Sequence, residues 1–322
     1  MHSLSKLPVS QETAQALFKR HMGGEAQIRA YQELTEGYFN AAYRVELVDG
    51  KVYVLKVAPP PEVRVLRYER EIMRTEVDVL RMVAAQTTMP VPAILFHDQA
   101  CDLLPSACFA MQFVKGEPLH KLRASLPLED LERIDRACGD YLRQMNGICG
   151  TGFGLFTPSA PRFPSWREAY DQLLRDVLLD GEEIGIALPL SSQEVLELAH
   201  QHYSALDEVE RPALVHWDLW DGNIFIDPEK RQVSGIIDFE RALWGDPLME
   251  VNFGAFGFIN PAFVEGYGLS LPLSPAQQAR RRLYNLYLFL IMVIETAYRQ
   301  YPTDDQERWT RVKLEETIGE LK

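Results

Sequence analysis

The sequence predicts an α+β chain in which a β-rich first third is followed by a mostly helical remainder. Three observations carry this. Two β-rich runs, Tyr43–Gly50 and Lys51–Ala58, flank Asp49-Gly50, a dipeptide favoured in tight hairpins. Beyond Gly116, four long stretches space their apolar residues at helical intervals. The strand-like runs of that second part are short and crowd between Ala213 and Glu240. The texture changes near Gln112–Glu117, which divides the chain into an expected N-terminal lobe, residues 1–113, and a C-terminal lobe, residues 114–322.

Taken in order, Ser10 to Met22 reads as a short helix. The hairpin follows, and Pro59–Pro61 ends its second strand, because proline cannot continue a hydrogen-bonded ladder. Arg67 to Ala85 places Ile72, Val79, Leu80 and Val83 at helical spacing with charges between them. "VPAILFHD" and "CFAMQFV" read as another strand pair. The helices expected beyond are Leu128–Asn146, opened by Pro127, then Trp166–Leu179, Ser192–Ala205 and Pro275–Arg299. "ALVHWD", "NIFID" and "VSGIIDFE" are the short strands. The apolar run Leu283 to Ala297 is interrupted by Asn285 and Glu295 and reads as a buried helix, too short to span a bilayer.

The chain has 322 residues, 47% of them hydrophobic and 25% charged, an ordinary balance for a folded soluble protein. Its 33 basic and 46 acidic residues give a net charge of −13, which argues against a nucleic-acid partner. That charge suits a cationic substrate, and it serves solubility equally well. Four scattered cysteines form no metal or redox spacing, and Met1 to Gln11 shows no leader pattern, so a cytoplasmic protein is expected, as monomer or homodimer and with no membrane partner.

The chemistry concentrates in Leu214–Pro247. His216-x-Asp218 is followed by Asn223 five residues on, and Asp238 closes an apolar run. Phosphoryl transfer to a hydroxyl needs a carboxylate to take the hydroxyl proton and oxygen ligands for Mg²⁺. Asp218, Asn223 and Asp238 are of the types that supply these. Ordinary turn chemistry would account for Asp221-Gly222-Asn223 by itself, but not for the whole set. Independently, Lys56 sits inside the apolar strand "YVLKVA", where an ammonium group needs an anionic partner.

"HWDLWDGNIFID…IIDFERALWGDP" resembles the signature of the aminoglycoside phosphotransferase and choline kinase-like family, relatives of the protein kinases. The resemblance runs from about Leu34 to Val251 and implies a two-lobed, protein-kinase-like fold that uses ATP or GTP with Mg²⁺. Nucleotide is expected in the cleft between the lobes. By position it implies Asp218 as catalytic base, His216 as support for the loop, and Asn223 and Asp238 as metal ligands. Gly245-Asp246-Pro247 matches the element that braces the site. Lys56 would hold the nucleotide phosphates with a glutamate, for which Glu76 fits the pattern best and Glu71 and Glu69 are rivals. Gly37 and Asn40 in "TEGYFNAAYRV" resemble the nucleotide loop, and Gln112 to Val114 the hinge that receives the base.

Three departures stand out: Trp217 replaces the usual glycine, Glu250 stands where aspartate is common, and Asn146 where histidine is usual. Gly245-Asp246-Pro247 follows Asp238 too closely for the long activation segment of a protein kinase. A non-catalytic module would be expected to have lost one of Lys56, Asp218, Asn223 and Asp238, and a metal-dependent hydrolase leaves Lys56 unexplained. The resemblance implies a small-molecule hydroxyl acceptor. An aminoglycoside, with antibiotic resistance, is the leading expectation, while choline, homoserine, sugar or fructosamine are the alternatives, and "HxDLWxGN" also resembles fructosamine kinases. Asp171, Asp176 and Glu295, on helices expected to line the acceptor pocket, would favour a cation, and Asp180, Glu182 and Glu183 read as a solvated loop.

Overall fold

The computed structural model describes residues 6–35, 37, 39–301 and 303–322, and its contacts divide into two compact units. The first comprises Met1–Val65 and Val91–Val114, the second Leu66–Pro90 and Lys115–Lys322. The division differs from the one expected in two places: residues 66–90, with their helix, group with the second unit, and Val114 groups with the first.

In the first unit, helix α1 (Gln11–Met22) is capped by Ser10, whose hydroxyl accepts from the Thr13 amide. Strands β1 (Ile28–Leu34), β2 (Ala41–Leu47), β3 (Val52–Val57), β4 (Ile94–Asp98) and β5 (Cys108–Gln112) form an antiparallel sheet in the order β1-β2-β3-β5-β4. The β2–β3 hairpin turns at Asp49-Gly50 as the sequence predicts, with Gly50 at φ 84° and its N–H on Leu47 O at 2.9 Å. Alternation along β2 buries Ala41, Tyr43, Val45 and Leu47, and the apolar face of α1 (Ala14, Leu17, Phe18) joins the same core. Phe18 meets Phe96 edge to face at 5.3 Å.

In the second unit, α2 (Ile72–Gln86) begins five residues later than its periodicity suggests. Arg67–Glu69 instead form a 3-10 turn, and Glu71 takes a left-handed conformation at φ 57°. The remaining elements are β6 (Glu117–Pro118), α3 (Leu119–Leu122), α4 (Leu128–Asn146), β7 (Gly154–Leu155), α5 (Trp166–Ile184), α6 (Ser192–His200), β8 (Ala213–Val215), β9 (Ile224–Asp227), β10 (Gln232–Ile236), β11 (Leu243–Gly245), α7 (Pro261–Tyr267), α8 (Pro275–Arg299) and α9 (Asp305–Leu321). Two three-stranded sheets run β10-β9-β6 and β7-β11-β8. This order positions the chemistry. The chain from His216 to Asn223 links β8 to β9, and Asp238 stands two residues after β10 at the start of a 3-10 turn, Phe239–Arg241.

Two further readings are corrected here. Helix α5 continues to Ile184, so Asp180, Glu182 and Glu183 lie on a helix and not in a loop. Helix α6 stops at His200 and a 3-10 turn, Tyr203–Glu208, follows. Helices α7 and α9 were not expected. The run Leu283 to Ala297 is a buried part of α8, opened by a capping box between Ser274 and Gln277. Among the described residues no helix is long and apolar enough to cross a membrane. The four cysteines form no disulfide.

Candidate active site

The loop from His216 to Asn223 is held from beneath by Glu250. This fully buried carboxylate accepts the His216 N–H at 2.7 Å and the Trp217 N–H at 2.8 Å. Asn146 Nδ2 adds a third bond at 3.3 Å while also binding Leu214 O at 2.7 Å, and Tyr267 donates to Asn146 Oδ1 at 2.9 Å. Two of the sequence departures, Glu250 and Asn146, are therefore bonded to each other. Arg281 of α8 secures the backbone around Glu250 by donating to Leu248 O and Glu250 O.

His216 is buried. Its Nδ1 accepts from the Asp218 N–H at 3.2 Å, and its Nε2 faces Ile237 O at 3.3 Å. Burial drives its pKa down to about 4, so the ring is neutral and one nitrogen accepts while the other donates. The imidazole thus ties the residue before Asp238 to the residue expected as base. Asn223 Nδ2 donates to Asp218 O at 2.8 Å and approaches Asp218 Oδ2 at 3.5 Å. Asn223 O in turn accepts from the Ile237 N–H at 3.0 Å. Asp218, Asn223 and Asp238 are thereby brought to one place by the β8–β9 and β10 ends.

Asp238 has φ 72°, a left-handed conformation that a short polar residue tolerates better than most. With Glu76 of α2 and Glu240 it forms a group whose carboxylate oxygens lie within 4.8 Å of one another, a hard-oxygen donor set of the kind Mg²⁺ takes. Glu240 was not singled out in the sequence, although "IIDFE" displays it two residues from Asp238. The rival glutamates are engaged elsewhere: Glu69 with Arg299, and Glu71 with Thr157 at 2.9 Å and with Ser159. Glu76 is the one placed beside Asp238.

Asp218 is half-buried. Burial pushes its carboxyl up to about 7, Asp238 and Glu295 add to the rise, and Arg241 opposes it. Arg241 ion-pairs with Glu295 at 3.4 Å, and its guanidinium lies over the Tyr68 ring at 5.6 Å. Charge pairing recurs nearby. Asp180 and Glu183 both bind Arg67, and Asp171 binds Arg175 at 2.6 Å and His200 at 2.9 Å. Asp246 of Gly245-Asp246-Pro247 binds Arg280 at 2.9 Å and Tyr284 Oη at 2.6 Å, anchoring the brace to α8.

In the first unit, Lys56 is nine-tenths buried in β3, in register with Ala42 and Phe109. Asn40 is buried beside β2 and Gly37 is exposed in the preceding loop, in which Glu36 and Tyr38 lie outside the described residues. At the expected hinge the Gln112 N–H is bonded to Ala93 O at 2.8 Å and the Phe113 N–H to Val52 O at 3.1 Å. The sheet has thus already taken those two groups, and Val114 ends the unit.

The family model for a phosphotransferase enzyme family matches residues 30–281, which include the whole segment just described. The chain belongs to that family. Among curated relatives, a probable ketoamine kinase of Vibrio parahaemolyticus is 37% identical over 81 residues, 24% of this chain and 26% of that protein, so the match spans about a quarter of the relative. Among solved structures, a thermostable mutant of aminoglycoside phosphotransferase APH(4)-Ia in its apo form has a TM-score of 0.70 at 18% identity, covering 95% of this chain and 98% of that one. A protein assigned as a fructosamine-3-kinase of Thermobifida fusca has a TM-score of 0.69 at 21% identity, covering 97% and 99%. These likenesses show that this phosphotransferase-family chain has the α+β, protein-kinase-like fold that the sequence predicts.

Proposed function

We propose that the protein is a small-molecule kinase that moves the γ-phosphoryl group of ATP or GTP to a hydroxyl of a ketoamine-type metabolite. The observation that carries the kinase reading is the gathering of Asp218, Asn223 and Asp238, with Glu76 and Glu240, at the ends of β8, β9 and β10 and on α2. Asp238, Glu76 and Glu240 offer the oxygen donors a magnesium ion takes, with Asn223 beside them. Bound there with nucleotide, the ion supplies charge neutralisation on the phosphates. Asp218 accepts the proton of the acceptor hydroxyl as its oxygen bonds to the γ-phosphorus and the bond to the β-phosphate oxygen breaks, releasing the diphosphate. A carboxyl pushed up to about 7 is well matched to taking a proton near neutral pH. Lys56 is proposed to bind nucleotide phosphate, as are Gly37 and Asn40 of the loop before β2. Gln112 and Val114 are proposed to flank the base through groups other than the Gln112 N–H.

The ketoamine class rests on two supports. The matched stretch of the Vibrio parahaemolyticus relative is a ketoamine kinase sequence by name. The carboxylates that suggested a cationic acceptor are also bound within the protein: Glu295 by Arg241, Asp176 by Gln172, and Asp171 by Arg175. Nucleotide consumption measured against fructosyl-amines, aminoglycosides, choline, homoserine and sugars tests the reading. Turnover confined to aminoglycosides would replace the acceptor class, and turnover of no acceptor would remove the kinase assignment.

A further inference from the structure

Trp217 occupies a position whose backbone asks for glycine. Its φ of 64° is the left-handed region, uncommon for a bulky side chain and adopted freely by glycine. If the loop required this conformation alone, glycine would meet the need without strain. The indole is buried to 2% exposure and lies flat against Tyr287 of α8, with ring centroids 5.2 Å apart and planes at 11°. Tyr68 meets it edge-on at 6.0 Å. The backbone on either side of the indole belongs to His216, which reaches Ile237 O, and to Asp218.

Helix α8 bears on this loop in two further ways. Arg281 grips the backbone of Leu248 and Glu250, beneath the His216 and Trp217 amides. Glu295 pairs with Arg241, whose charge acts on Asp218. The three attachments fall at Arg281, Tyr287 and Glu295, spread along one helix.

We propose that Trp217 is a positioning residue that fastens the loop bearing Asp218 to helix α8, so that loop and helix hold one geometry during phosphoryl transfer. The proposal rests on the kinase reading above and adds to it a residue whose indole is buried against Tyr287. Packing of the indole on Tyr287 offsets the left-handed backbone and fixes the direction in which Asp218 leaves the loop.

The test compares Trp217→Gly, Trp217→Phe and Tyr287→Leu with the unaltered protein at a temperature where each is folded by circular dichroism. Trp217→Gly relieves the backbone but cuts the tether. Its kcat should fall on the order of 100-fold, the scale of a misplaced reacting group, with the nucleotide KM within about twofold. Tyr287→Leu, which leaves the loop backbone untouched, should show the same split, and Trp217→Phe should regain most of kcat. A kcat within about twofold of the unaltered protein in both Trp217→Gly and Tyr287→Leu would overturn the proposal and leave the indole as packing alone. Should Trp217→Gly not fold, Tyr287→Leu decides by itself. If the unaltered protein transfers phosphate to no acceptor, the kinase reading fails separately. Hydrogen exchange in the peptide 214–223 then decides: faster exchange in folded Tyr287→Leu supports the tether, and an unchanged rate refutes it.

Discussion

Replacing Glu250 by alanine tests the support of the loop through stability, independently of any substrate. The carboxylate accepts two backbone amides, from His216 at 2.7 Å and Trp217 at 2.8 Å, and both residues are essentially out of solvent. Alanine leaves both N–H groups buried without their acceptor. Each such group costs about 1–3 kcal/mol, so the pair costs about 2–6 kcal/mol. For a unit of this size, 1 kcal/mol moves Tm by about 2–4 °C, and a loss of about 3 kcal/mol therefore lowers the transition of the second unit by about 6–12 °C. The control is Glu250→Gln. Its carbonyl can keep one amide, but its NH₂ then faces the other donor, so it should recover at most half of the loss. Calorimetry reads both variants. A Tm for Glu250→Ala within about 2 °C of the unaltered protein would refute the reasoning, because it would mean the amides find other partners at no cost.

Three further outcomes are expected. Asp218→Asn should lower kcat by about 10²–10⁴-fold in steady-state turnover while Tm holds or rises, since it removes a carboxyl that burial disfavours in its charged form. In calorimetric titration with magnesium and nucleotide, Asp238→Ala should abolish metal-dependent binding, and Glu240→Gln, which trades one carboxylate of the donor group for an amide, should weaken it on the order of 10–100-fold. His216 predicts a pH effect. Its folded pKa of about 4 lies below the ordinary 6.5, so below 6.5 the unfolded chain binds a proton that the folded one refuses. Its contribution to stability is complete above pH 6.5 and is lost as pH falls from 6.5 through 4, at up to about 1.4 kcal/mol per pH unit. Tm measured across that window should fall less steeply in His216→Asn; equal slopes would contradict the assignment.

The fold was legible where local chemistry and packing agree. Asp49-Gly50 set the hairpin, and the apolar spacing of Leu128–Asn146 and Pro275–Arg299 gave both helices to the residue. Helix α9 was missed because its buried face mixes Thr310 and Thr317 with Leu314, Ile318 and Leu321, which dilutes the apolar stripe, while Trp309 and Val312 stay exposed. In the site, spacing alone singled out Asp218, Asn223 and Asp238. The meaning of the departures lay in contacts between distant residues. Nothing local shows that Glu250 must reach the His216 and Trp217 amides, or that Trp217 has Tyr287 to lie against. Charge was misleading for the same reason. Asp180 looks like part of an exposed acidic run, yet its partner, Arg67, is more than a hundred residues away. That Glu76, and not Glu71, lies beside Asp238 also depends on the third dimension, because Glu71 opens its helix in a left-handed conformation and bonds Thr157 and Ser159.

The most direct test of the central claim is the rate of nucleotide diphosphate release from purified protein with ATP or GTP, magnesium and a fructosyl-amine, run beside Asp218→Asn. Acceptor-dependent release that is stoichiometric with a phosphorylated acceptor, and that collapses in Asp218→Asn, is the predicted result. Equal release from the two proteins would contradict the account, because the carboxylate of Asp218, whose backbone His216 and Asn223 hold in place, would then take no part in the transfer.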